Sequence, residues 1–453
     1  MAAEGRVTVS LRKSMPFMGA ILPSIRPPAA GWRFGPRRCI TLATTPAATD
    51  RGVAARTVRR PQRRSNMEQA MSPSPVRARM YALLVPAVLA FLGAGLASAQ
   101  PLRLGISGPL EGSNAGSMLE LVKGAEMYVN AVNEQGGVGG RKIVLVARND
   151  DFKVDRTVAV VRKLIVEDGV LALLLVRGTP HNEAILPLVA EHKVALIGPS
   201  TGAMVFHQPV NPYVFNVRTP YQVEARKLVN LLHLSGLRKI AILHVADGFG
   251  RDVLAGLREG FKASGIEPAA VVAYDRETAL KDGTAFMEPA LPLLKQADPE
   301  GIIVVGAGLA VKNAVAALRQ AGSQAKIATL SNNASTAFIK MLGPNARGVI
   351  VTQVFPGEKD YMNGFVREAW RLAERNGVAL TPGMLEGFAG AKVAVAALRA
   401  AGSNPTRASV LRALNSMERL DLGNMTLGFS PEDHTGLDIT DLSIITKDNT
   451  FLR

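Results

Sequence analysis

From residue 102 onward the chain alternates short apolar runs with stretches of helical period. Residues 102–107 predict a strand, and 118–133 place Leu119, Val122, Ala125, Val129 and Val132 at helical spacing. The glycines at 136–140 end that helix. Strand 143–147, helix 157–166 behind the candidate N-cap Asp155, strand 171–176, helix 181–192 and strand 194–197 follow. The alternation resumes with strand 239–245, helix 251–263, strands 269–274 and 302–305, helix 310–320 and strand 326–330. Further helices are predicted at 221–234, between the halves, and at 361–376, 383–401 and 406–416.

Such alternation implies an α/β fold of two lobes, each a parallel sheet covered by helices on both faces. The late helices are expected to return to the first half, so that both lobes are discontinuous and several crossings join them, as suits hinge closure. The expected division is 100–218 with 353–425 in lobe 1, and 219–352 with 426–453 in lobe 2.

Ahead of this pattern the chain has a different character. Residues 77–99 combine Arg77 and Arg79, an apolar run from Met80 to Leu96 and the small-residue end Ala97-Ser98-Ala99. This is the layout of a cleavable export signal over 76–99, cut after Ala99. Pro86 and two glycines interrupt the run, which is short for a membrane anchor. Residues 1–75 read as an extension outside the native product, because Met67, Met71 and Met80 each offer a nearer start. Arg37-Arg38 precedes a polar segment, which makes a poor twin-arginine signal.

Charge follows the same boundary. The formal net charge is +16, but residues 1–99 hold fifteen of the Lys and Arg against Glu4, Asp50 and Glu68, leaving 38 basic and 34 acidic groups on the other 354 residues. That balance gives no reason to invoke nucleic acid. The only cysteine, Cys39, also lies in the leading segment, so the remainder forms neither an internal disulfide nor a thiolate metal site. The six histidines lack ligand spacing, and no metal or cofactor is expected.

Gly198-Pro199-Ser200-Thr201-Gly202 follows the apolar run 194–197 and fits the G-x-S-x-G pattern of a hydrolase nucleophile elbow. No His-Gly pair supplies the usual second oxyanion donor, and the late His434 sits beside Asp433, where the two side chains rarely share a partner. Two other uses remain open: a clasp for an anion at the sheet's C-terminal edge, or a cap for the next helix. Gly306-Ala307-Gly308 suggests a dinucleotide loop, but Val311 occupies the place of the third glycine.

Taken in order, RLGISGPLEG, KGAEMYVNAVNEQGGVGGRKIVLVARNDD, VRGTPHNEAILPLVAEHKVALIGPSTGA, YVFNVRTPYQVEA, KIAILHVADGFGRDVLAGLREG and LEGFAGAKVAVAALRAAG resemble the type I periplasmic binding proteins of ABC importers, in the Leu/Ile/Val-binding branch. The resemblance runs from about Leu102 to Phe451. It implies a non-enzymatic, monomeric periplasmic receptor that closes on an amino acid or related small carboxylate and presents it to an inner-membrane permease.

It also implies a site. Thr179 and the turn Ser200, Thr201 and Gly202 match the positions that hold an α-carboxylate, with Ser200 donating. Phe249 of DGFG matches the covering aromatic of the second lobe. Ser113 after the first strand, Gly308 and Asn332 complete the set. Tyr221 at the crossing is open between lining the cleft and packing at the hinge, and of the arginines that can add positive charge, Arg177 and Arg218, the second equally suits a hinge-surface role. Two departures stand out. Amino-acid binders carry an acid after the strand at 326–330, where this chain has Leu330-Ser331-Asn332-Asn333, and a tyrosine is replaced near Gly308. With the charge pairing gone, an aromatic or aliphatic acid without an ammonium is as well suited as a branched-chain amino acid. A ligand sensor of the same fold remains the alternative, with a serine hydrolase using Ser200 behind it.

Overall fold

Strand residues point alternately to opposite faces, and that alternation sorts the core. The computed structural model describes residues 100–281 and 283–453. The expected extension, export signal and cleavage point lie outside the described residues.

The first lobe holds strands β1 Leu102–Gly108, β2 Ile143–Asn149, β3 Ala172–Leu174, β4 Ala195–Ile197 and β5 Val214–Phe215, all parallel in the order β2-β1-β3-β4-β5. In β3, Ala172 and Leu174 face one apolar cluster and Leu173 the other; in β4, Ala195 and Ile197 oppose Leu196 in the same way. Both faces are therefore buried, which is why these strands read as unbroken apolar runs.

The second lobe is built on β6 Ile240–Val245, β7 Ala270–Tyr274, β8 Gly301–Val305, β9 Lys326–Thr329 and β10 Ile350–Gln353. A small hairpin, β11 Leu420–Asp421 with β12 Thr426–Leu427, comes before the last two strands, β13 Asp441–Ile445 and β14 Phe451–Leu452. The larger sheet runs β14-β13-β10-β9-β8-β6-β7, and its parallel body is extended by the antiparallel pair β13–β14 on β10.

The helices are α1 Ala115–Glu134, α2 Val154–Val166, α3 Thr179–Glu191, α4 Tyr221–Leu234, α5 Gly248–Ser264, α6 Arg276–Ala279, α7 Ala290–Ala297, α8 Gly308–Gln320, α9 Thr336–Leu342, α10 Gly364–Arg375, α11 Pro382–Ala400 and α12 Arg407–Asn415. The late helices α10, α11 and α12 pack with α1 into the first lobe's core. Helices α1 and α11 approach so closely that a Cβ on Gly387 would stand 1.8 Å from the Leu121 carbonyl oxygen, and one on Gly124 1.9 Å from that of Met384.

The chain passes between lobes near Arg218, again between β10 and Val354, and a third time before β13. Met425, Leu427, Phe429 and Leu437 all belong to the first lobe's core, so the last crossing comes after Leu437, later than the boundary expected at 425. The β11–β12 hairpin is tied to α10 by the bond from the Phe365 amide to the Gly423 carbonyl, and beyond it the Phe429 amide bonds to Met417 O and the Leu437 amide to Val217 O, which keeps the segment on the first lobe.

Candidate functional site

In both lobes the chain leaves the C-terminal ends of its parallel strands toward one cleft, where ligands of α/β folds bind. Phe152 follows β2, Arg177 to Thr179 follow β3 and Ser200 follows β4. From the second lobe come Phe249 after β6, Arg276 after β7, Ala307 after β8 and Asn332 after β9; Tyr221 opens α4 at the crossing. The space these residues enclose is about 20 Å³. That holds about one water, against roughly 300 Å³ and upward for small-molecule pockets. The cleft is thus nearly filled by its own side chains.

The first lobe supplies a floor of donors. The Arg177 amide bonds to Ser107 O at 3.1 Å and the Gly178 amide to Ser200 O at 3.3 Å, which pins this segment across the ends of the sheet. Gly178, at φ 96°, makes the turn into α3, whose first amides have no acceptor within the helix. Thr179 Oγ1 lies 2.7 Å from Thr201 Oγ1. Thr201 Oγ1 also accepts from the Ala203 amide, so its proton can go to Thr179 and leave Thr179's own hydroxyl proton for the cleft.

Arg177 and Arg218 are both buried arginines with opposite circumstances. Arg218 Nη2 bonds to Glu224 Oε2 at 3.2 Å and to Ser331 Oγ, its Nη1 is 3.8 Å from Glu386 Oε2, and its guanidinium lies over the Tyr221 ring. Burial opposes its charge, but Tyr221, Glu386 and Glu224 outweigh burial and hold it above the ordinary arginine value. The Arg177 guanidinium makes a single hydrogen bond, from Nη2 to the Asn332 carbonyl at 2.9 Å. Burial pulls it below the ordinary value, and the contributions of Glu386, Tyr221 and Asp150 do not restore it. One cation is bonded to a carboxylate; the other lines the cleft with none bonded to it.

From the second lobe, Arg276 is held by Asp247, which also caps α5 by accepting from the Gly250 amide. Its guanidinium reaches across to the Phe152 ring, 5.5 Å from the centroid, and Phe152 stacks in turn on His181. Tyr221 and Phe249 meet at 4.9 Å between centroids, and burial pushes the Tyr221 hydroxyl up to about 12. Away from the enclosed space the lobes meet again. Ser117 and Ser335 hydroxyls bond at 2.7 Å, and Glu120 accepts from the Thr336 and Ala337 amides at the start of α9.

Of the residues expected from the sequence, Thr179, Ser200, Tyr221, Phe249, Asn332 and Arg177 line this space. Thr201 stands directly behind Thr179. Gly202 instead packs on the crossing: its carbonyl accepts from the Tyr221 amide, and a Cβ there would lie 2.7 Å from Thr219 O. Gly308 sits at the interface between lobes beside Asn114, with its amide bonded to Asn333. Ser113 is exposed on the turn before α1 and does not join the lining.

Two expectations about the turn itself are corrected. Two amides an anion clasp would use are taken, Ser200 N by Val176 O and Thr201 N by Pro199 O, and the helix to be capped is only a three-residue 3-10 turn, Met204–Phe206. The Ser200 hydroxyl donates to Glu386 Oε1 at 2.8 Å, so toward the cleft its oxygen can only accept. No imidazole is bonded to it: His434 is engaged by Val214 O and Asn415 Oδ1, and His207 by Thr435. Phe152, Arg276 and Glu386 were not singled out from the sequence. Phe152 and Arg276 carried the general signal of following a predicted strand; Glu386, inside a helix remote in sequence, carried none.

Among the described residues, no three His, Cys, Asp or Glu side chains gather as a metal site, and no helix is long and apolar enough to cross a membrane. A family model described as periplasmic binding protein matches residues 101–444. A curated relative, "Leu/Ile/Val-binding protein homolog 3" of Brucella melitensis, is 25% identical over 353 residues, covering 76% of this chain and 91% of its own length. A solved substrate-binding periplasmic protein from Ralstonia solanacearum shares 31% identity over 78% of this chain and 99% of its own, with a TM-score of 0.70. A branched chain amino acid ABC transporter structure from Thermus thermophilus, with bound valine, shares the fold at 19% identity and a TM-score of 0.68, covering 79% and 96%.

Proposed function

The chain belongs to the periplasmic binding protein family, and on that premise we propose that it is the solute-binding component of an ABC importer, closing its lobes on an amino acid or related small carboxylate. The observation that carries this is Arg177: a buried guanidinium on the cleft, beside the Thr179 hydroxyl and the start of α3, with a carbonyl but no carboxylate bonded to it. A ligand carboxylate supplies the missing charge and accepts from all three donors.

Closure follows from the size of the cleft. A solute larger than water enters only when the lobes part, and it touches residues of both lobes only when they come together again. Ligand therefore shifts the population toward the closed form. The export signal ending at Ala99 places this monomeric receptor in the periplasm, where it delivers its solute to an inner-membrane permease. A binding role, without catalysis, is supported by the partner of Ser200, which is Glu386 in place of a histidine.

Native mass spectrometry of gently purified protein, followed by denaturing release, tests the reading. A small carboxylate at one per chain is expected. A protein that carries nothing, with no thermal shift across amino acids and organic acids, would overturn it.

A further inference from the structure

The cleft has acceptors as well as donors, and they are neutral. Asn332 Nδ2 donates to the Gly306 carbonyl at 3.0 Å, which fixes the orientation of the amide, since a side-chain oxygen facing that carbonyl would repel it. The Asn332 Oδ1 is then buried with no hydrogen-bond partner, on a residue that lines the cleft and whose main-chain carbonyl already receives Arg177. Ser200, its proton committed to Glu386, adds a second acceptor. Buried acceptors in folded proteins find donors.

An ammonium could donate, but its charge has no counterpart in the lining. The ten lining residues include Arg177 and Arg276 and no Asp or Glu. The acids behind them are already engaged: Glu386 accepts from Ser200 and faces Arg218, and Asp247 holds Arg276. An ammonium brought between two guanidiniums with no facing carboxylate bears the cost of an unpaired buried charge, whereas a hydroxyl makes the same hydrogen bond without it.

Resting on the carboxylate-receptor reading above, we infer that this cleft selects an α-hydroxy acid: the carboxylate on Arg177 and Thr179, the neighbouring hydroxyl donating to Asn332 Oδ1, and an apolar or aromatic body against Phe152, Tyr221 and Phe249. Asn332 is then the specificity-determining residue, rejecting the amino acid of the same carbon frame for want of a negative charge.

Calorimetric titration of protein stripped of bound solute tests this with two matched sets: phenyllactate, phenylalanine and phenylpropionate, then hydroxyisocaproate, leucine and isocaproate. In the set that binds more tightly, the hydroxy acid should exceed both partners by about tenfold or more, the size expected when a buried acceptor gains or loses its donor. An amino acid or plain acid that binds as tightly overturns the inference. Asn332→Asp, which brings in a negative charge but gives up the bond to the Gly306 carbonyl, should still raise the amino acid relative to the hydroxy acid; an unchanged order contradicts the role of Asn332. The comparison on the unaltered protein stands if that variant fails to fold. Failure of all six, in a protein that native mass spectrometry finds loaded with another solute, sinks the inference and spares the receptor reading. A protein that carries and binds nothing sinks both.

Discussion

Arg177 Nη2 donates to the Asn332 carbonyl at 2.9 Å, tying a first-lobe cation to the second-lobe loop that follows β9. On the function proposed above, ligand recognition and lobe closure meet at this one side chain.

Replacing Arg177 separates binding from folding. Arg177→Met should weaken carboxylate binding by about 2–5 kcal/mol, as when one member of a buried charge pair is lost. Its melting temperature without ligand should hold or rise, because a buried charge with no bonded carboxylate has gone. Arg177→Lys should recover only part of the affinity, since it keeps the charge but not the planar fork. Calorimetry beside thermal melts reads both.

The Arg218 network should behave in the opposite sense. Glu224 is buried and accepts from the Ser331 amide and hydroxyl, Thr352 and Arg218. Either Arg218→Met or Glu224→Gln leaves its partner poorly matched and should cost about 3–5 kcal/mol of stability, with the double variant costing less than the sum. Denaturant titrations of the three variants check this.

Gly387 tests what positions Glu386. A Cβ 1.8 Å from the Leu121 carbonyl oxygen forces α11 away from α1. Gly387→Ala should therefore cost about 3 kcal/mol or more. It should also weaken ligand binding by withdrawing Glu386 from Ser200, whereas a core variant at Leu414, remote from that contact, should lower stability alone.

His207 gives the fold an acid-sensitive point. Burial foremost, and the Arg218 charge, push its imidazole down to about 4. The folded chain keeps it neutral, while the unfolded chain takes up a proton near 6.5. The stability it contributes is complete above 6.5 and is lost as the pH falls from there to about 4, an amount of roughly 3 kcal/mol. His207→Gln should lose less stability than the unaltered protein between pH 7 and pH 4.5 in denaturant melts.

Much of this architecture is legible in the sequence because it is periodic. The β1 to β4 runs and the helical spacing of α1 fix the parallel layers, and a turn after a strand marks the cleft edge, which is how Ser200 could be picked out; Thr179, Phe249 and Asn332 came from the family resemblance. What stayed hidden depends on long-range geometry. Two-residue β5 carries too little pattern to register, and the last crossing lies past Leu437 because the hairpin is held by α10 and Leu437 itself by Val217. The proton of Ser200 belongs to Glu386 only because two glycines let α11 settle against α1, and nothing near residue 200 announces that.

The most direct measurement is native mass spectrometry of the unaltered protein and Arg177→Met, purified side by side and matched by circular dichroism. The unaltered protein should carry a small carboxylate that denaturation releases, and the variant should arrive without it. The same molecule at the same occupancy on both would contradict a cleft organised around Arg177.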